Sequence, residues 1–113
     1  MKGWQSELMG FNKELELPKR FKLFSTTIDV SFDNKLLNEK NMYGFCDYGS
    51  CKIVLSDVEG EIPLTKDRIL DTFYHERTHA ILDAMNETKL SNNEKFVDVF
   101  SKLLRQAIET SEF

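Results

Sequence analysis

Three patterns in this 113-residue chain predict an α+β fold. Apolar and polar residues alternate over 28–33, as in a half-buried strand. Apolar residues then recur at helical spacing in two later stretches, about 65–86 and 91–110. Strands followed by helices, rather than alternating with them, imply a small, mostly antiparallel sheet packed against those helices. One domain, 1–113, is expected at this length, and 41% hydrophobic content with nine Phe is enough for a core.

The first stretch, 1–20, reads as helical, because Trp4, Leu8, Phe11 and Leu15 fall on one face; Gly10 weakens the pattern and Leu17-Pro18 ends it. From Phe21 to about residue 58 the pattern is that of strands. Ile28, Val30 and Phe32 face a core while Asp29, Ser31 and Asp33 face water. A hairpin is expected next, 42–47 returning as 50–56, with 57–60 as a polar turn. A two-residue turn at Tyr48-Gly49 would set Cys46 opposite Cys51, within disulfide reach in principle. In a reducing compartment the pair is expected to pack as free thiols.

The helix over 65–86 is well punctuated. Thr65 is the expected N-cap, Leu64 and Ile69 occupy the two positions of a hydrophobic staple, and Asn86 falls near the end. Ile69, Leu70, Phe73, Tyr74, Ala80, Ile81, Ala84 and Met85 make a broad apolar arc, with Arg68, Thr72, His75, His79 and Asp83 on the other side. Arg77 interrupts the arc; its guanidinium must snorkel out, find a carboxylate, or meet a partner. In the last helix the expected core stripe is Phe96, Val97, Phe100, Leu103, Leu104, Ala107 and Ile108. Glu94, Asp98, Ser101 and Arg105 run along its margin.

Net charge is −4, which argues against nucleic acid or an anionic membrane as partner. No stretch reaches transmembrane length, and the N-terminus lacks the apolar core of a signal peptide, so a cytoplasmic protein is expected.

The chemistry concentrates in His75-Glu76-Arg77-Thr78-His79. The chain has only two histidines, and both are here. Four residues apart on a helix, the imidazoles point at one spot, with Glu76 between them. Two imidazole nitrogens and one more protein ligand make a catalytic zinc site, whose open position holds a water. The metal acidifies that water and polarises a carbonyl, while a carboxylate moves the proton. Without a third histidine, the remaining ligand is a carboxylate or a cysteine. Glu94 is the leading candidate, since two helices joined by a short connection pack antiparallel; Asp98, one turn on, would accept the free N–H of a ligating imidazole. Ser91-x-x-Glu94 also spells a capping box, which gives the glutamate a purely structural alternative. Asp83, Glu87 and Cys46 are the other candidates.

His75-Glu76-Arg77-Thr78-His79 followed by Glu94-Lys95-Phe96-Val97-Asp98 resembles the gluzincin metallopeptidases. The stretch from Glu94 to Leu104, with Asp98 and Phe100, is similar to the second motif of the small ImmA/IrrE-type metallopeptidases of phages and mobile elements. The resemblance covers about 42–108. It implies a minimal zincin-like domain with a zinc ion on His75, His79 and Glu94, Glu76 as general base, and a strand at 52–55 that pairs with an extended peptide or protein substrate. The chain departs from the family pattern at Arg77, usually apolar, and in having no Tyr or His after Glu94 to stabilise the transition state. Tyr43, Tyr48 and Arg105 are the candidate donors in its place.

The sequence therefore predicts a cytoplasmic zinc metallopeptidase. The competing reading, prompted by the missing donor and by Arg77, is a catalytically weak or inactive zinc-containing interaction module of a phage or mobile element. A third expectation concerns 1–20, whose apolar stripe either packs on the core or covers the cleft.

Overall fold

A computed structural model describes residues 17–113. Trp4, Leu8, Phe11 and Leu15, and with them the question of what their stripe covers, lie outside the described residues. The fold is α+β, with a small, mostly antiparallel sheet against helices. Strand β1 (Arg20–Leu23) pairs antiparallel with β2 (Thr26–Phe32), Phe21 opposite Ile28. The β3 strand (Gly44–Asp47) pairs antiparallel with β4 (Lys52–Leu55), and the sheet order is β1-β2-β4-β3.

The central pairing, β2 with β4, is parallel, Val30 opposite Ile53. A parallel pair needs a crossover, and here it contains a short helix absent from the sequence-based expectation, α1 (Asn34–Glu39). Asp33 caps it by accepting from the Leu36 amide at 3.0 Å, and Leu37 is fully buried. Six residues are too few to show a period, which is why the sequence pattern missed it.

Two turns also differ from expectation. The β3–β4 connection is a 3₁₀ turn (Tyr48–Ser50) closed by Cys51 at φ 58°, with the Asp47 carboxylate accepting from the Ser50 amide. Four residues, not two, link the strands, so Cys46 faces Ile53 and both cysteines are free. The expected polar turn at 57–60 is a miniature hairpin, β5 (Val58–Glu59) with β6 (Ile62–Pro63), and Gly60 at φ 65° makes its bend.

The long helix α2 (Lys66–Ala84) starts as predicted, Thr65 accepting from the Arg68 amide at 3.1 Å. Its Ile69, Leu70, Phe73 and Ala80 pack on Ile28, Val30, Ile53 and Leu55 of the sheet. Beyond Leu82 the apolar arc emerges, and Met85 is exposed. A 19-residue helix, about 28 Å long, outruns four-residue strands of about 13 Å.

Among the described residues Arg77 meets aromatic rings rather than a carboxylate. Its guanidinium lies 4.5 Å from the ring centres of both Phe21 and Phe73, with Tyr74 at 5.9 Å. Burial lowers its pKa, Nε has no hydrogen-bond partner, and among the described residues no carboxylate pairs with it. The ring faces supply the attraction instead.

After the short helix α3 (Thr88–Ser91), α4 (Glu94–Glu109) runs back along α2. Its orientation corrects the expected stripe. Val97 and Ser101 are buried, whereas Phe100, Leu103 and Ile108 are exposed by 44%, 59% and 50%. The margin of the stripe faces inward because its polar groups anchor there: Arg105 reaches Asp67 and Asp71 of α2, while Glu94 and Asp98 reach His75. No helix among the described residues is long and apolar enough to cross a membrane.

Candidate metal centre

His75 and His79 stand one turn apart on α2, and the start of α4 carries Glu94 to them. Glu94 Oε1 lies 3.1 Å from His75 Nε2, and Oε2 lies 3.3 Å from His79 Nε2. One ligand atom from each of the three residues falls within 4.8 Å of the others. Donors about 2.0–2.1 Å from a tetrahedral zinc stand about 3.3–3.4 Å apart. The two contacts of the Glu94 carboxylate, 3.1 and 3.3 Å, are near that spacing, and the three groups lie close enough together to hold a metal ion.

The cap reading of Glu94 is corrected by Asn93, which is the N-cap of α4 and accepts from the Phe96 amide at 3.0 Å. Glu94 is then the first helical residue, with its carboxylate free to turn toward the histidines. Ser91, the other half of the expected capping box, is buried and its Oγ lies 3.1 Å from His79 Nδ1. Asp98 Oδ1 lies 3.7 Å from His75 Nδ1, longer than a hydrogen bond. The Ser91 contact at His79 Nδ1 favours the tautomer that leaves Nε2 of that imidazole free to ligate. Lys102 holds Asp98 at 2.7 Å and is the first cause of its lowered pKa. Sequence reasoning found Asp98 and missed Ser91. The signal was present, a hydroxyl shortly before the glutamate, but it was absorbed by the cap pattern.

Glu76 occupies a position on the inner side of α2, in line with Ile69, Phe73 and Ala80, and is 8% exposed. Burial, reinforced by the charge of Glu94, raises its pKa to about 7. That value suits a group that accepts and returns a proton near neutral pH. Opposite it runs β3, held close by a glycine: a Cβ on Gly44 would stand 2.6 Å from Thr72 Cγ2. The groove between β3 and the helices has two lobes, of about 440 and 430 Å³, and His75, Glu76, Met42 and Gly44 line both.

The remaining candidates sort by position. Asp83 and Cys46 line the second lobe but stand outside the metal-binding group, and Glu87 is exposed. Burial, with Glu76, Asp83 and Asp47 nearby, pushes the Cys46 thiol up to about 12, so it stays protonated. Of the three candidate donors, only Tyr43 lines the groove. Tyr48 packs on the hydrophobic core at the β3–β4 turn. Arg105 is committed to Asp67, Asp71 and Glu109 at 2.7, 2.8 and 2.9 Å, which corrects its expected role. The expected substrate strand also changes. Strand β4 has β2 on one side and β3 on the other, so among the described residues the edge strands are β1 and β3, and β3 is the one beside the groove.

No family model matches the chain, and no curated protein or solved structure matches it.

Proposed function

We propose that this protein is a zinc metallopeptidase of the cytoplasm. The observation that carries the reading is the meeting of His75 Nε2, His79 Nε2 and the Glu94 carboxylate at one point, with the buried Glu76 beside it. Zinc held by those three groups supplies Lewis acidity and lowers the pKa of water. Glu76 takes the proton from the attacking water and delivers it to the departing amine. Tyr43, on the groove wall, is assigned the hydrogen bond to the developing oxyanion. The free edge of β3 receives an extended peptide by backbone pairing.

Elemental analysis of wild type, Glu94→Ala and Glu76→Gln, combined with hydrolysis of a denatured protein, tests the proposal. Wild type is expected to hold one zinc and to cleave. Glu94→Ala loses the metal, and Glu76→Gln keeps the metal and loses cleavage. Equal zinc in wild type and Glu94→Ala removes the third ligand, and undiminished cleavage by Glu76→Gln removes the mechanism.

A second reading, a zinc-bearing interaction module, draws on the exposed Val99, Phe100, Leu103 and Ile108 of α4. Under it, the biological effect survives Glu76→Gln and is lost when Phe100 and Leu103 become polar.

A further inference from the structure

The two lobes of the groove differ in charge. The lobe toward Ser91 and Asn92 is lined by Glu76, Asp83 and Glu94, with His75 and His79 but no Arg or Lys among the described residues. The lobe toward the N-terminal end of α2 carries two cations, Arg68 and Lys102, beside Asp71 and Asp98. Three of those four groups are already occupied. Lys102 holds Asp98 at 2.7 Å, and Arg105 holds Asp71 at 2.8 Å. Arg68 alone forms no ion pair with a described residue.

Its side chain is exposed and has one contact with the wall of the lobe. The guanidinium carbon lies 4.7 Å from the centre of the Tyr43 ring, so a wall of the lobe steadies it. The Arg68 backbone is used separately: its amide is capped by Thr65, and its carbonyl accepts from Thr72 Oγ1 at 2.9 Å. What lines the lobe is therefore a planar guanidinium fork whose donors no described residue takes up. That arrangement matches a carboxylate in a bidentate pair.

We infer that Arg68 is a specificity-determining residue, which selects substrates with a carboxylate to one side of the bond that is cut. The inference rests on the peptidase reading above and names the substrate class for the same site. Arg68 precedes His75 by seven residues, about 10.5 Å along the helix axis. An extended peptide advances about 3.3 Å per residue, so in a peptide that runs along the helix the carboxylate lies about three residues from the scissile bond. It belongs either to an Asp or Glu side chain or to a free C-terminus. The opposite lobe has no Arg or Lys among the described residues to receive an acid, so the preference is one-sided.

The test uses the full-length, zinc-loaded protein and a peptide library. Cut sites of wild type, Arg68→Ala and Arg68→Lys are read by mass spectrometry, and selected cut peptides are remade as Glu/Gln and acid/amide pairs. Retention of the same library on immobilised Glu76→Gln protein, with and without Arg68→Ala, gives a binding readout independent of cleavage. Arg68 is exposed and its pairing is screened by solvent, so wild type is expected to prefer the Glu member by about three- to five-fold in kcat/KM. In Arg68→Ala the ratio falls to about one, and Arg68→Lys keeps part of it. A preference that tracks acid against amide termini instead assigns the carboxylate to the chain end. Cleavage with no acidic preference, or a preference that survives Arg68→Ala, overturns the subsite and leaves the peptidase reading intact. Absent cleavage with Arg68-dependent retention of acidic peptides overturns the peptidase reading and keeps the subsite. Absent cleavage without such retention overturns both.

Discussion

Replacing Glu76 with Gln is expected to stabilise the metal-free protein at neutral and alkaline pH, although the same change would abolish the proposed hydrolysis. The carboxyl sits in the packed face of α2, and burial raises its pKa from the ordinary 4.5 to about 7. Between those values the folded chain binds more protons than the unfolded chain, so stability falls as pH rises. The contribution is fully present below about pH 4.5 and is lost once pH passes about 7. At about 1.4 kcal/mol per pH unit, the interval from 4.5 to about 7 is worth about 3 kcal/mol. Gln preserves the shape without the charge, so the difference between the two proteins isolates the carboxylate and cancels what they share. The assay is thermal unfolding in the presence of a chelator, from about pH 4.5 to about pH 8. The two melting temperatures should coincide at the acid end and separate toward roughly 10 °C at the alkaline end, with the variant higher. Parallel curves, or a variant less stable at pH 8, would refute the reasoning. Either would mean that the ionised carboxylate is satisfied in the fold and contributes to holding it together. The expected sign instead marks a group that the fold tolerates at a loss, as reactive groups often are.

Three further outcomes follow from the geometry. Ser91→Ala should weaken zinc affinity about 10–100-fold in a competition titration without unfolding the protein, because it removes the partner of His79 Nδ1; unchanged affinity would make the Ser91 contact incidental. Gly44→Ala should destabilise the fold by about 1–3 kcal/mol in a denaturant titration, since its Cβ meets Thr72 at 2.6 Å; a neutral result would show that β3 can retreat freely. Arg105→Ala leaves three acids without their shared cation and should destabilise by about 2 kcal/mol, less than a buried pair would because those acids are partly exposed. Its zinc affinity should also drop, as the far end of α4 loosens; wild-type melting and affinity together would count against the anchor.

Much of the candidate site was legible in the sequence because a helix has a fixed pitch. Once His75 and His79 are four residues apart, their convergence is settled by geometry, and Thr65 as a cap fixes where the helix begins. Glu94 was legible as a candidate only. What separated ligand from cap was the identity of the true N-cap, Asn93 rather than Ser91, and adjacent capping residues compete on energies too small to rank from sequence. The orientation of α4 was misread for a related reason. Its apolar residues outnumber its polar ones on the expected face, yet Arg105, Asp98 and Glu94 find specific partners on α2 and set the rotation. Helix α1 and the parallel pairing of β2 with β4 left no periodic trace, because six residues and one crossover do not make a pattern.

The docking of α4 has a consequence for how quickly a metal could leave. Only Val97 and Ser101 of this helix are fully buried, and polar contacts tie it to α2 through Arg105 at one end and Glu94 with Asp98 at the other. A helix held in this way is a natural unit of partial opening. When it lifts, Glu94 and Asp98 depart together, while the sheet and α2 keep their core. A bound ion would therefore act as a rivet between two parts of the molecule. Its residence time would be set by the opening rate of α4, and hydrogen exchange along that helix would report on the metal from a distance.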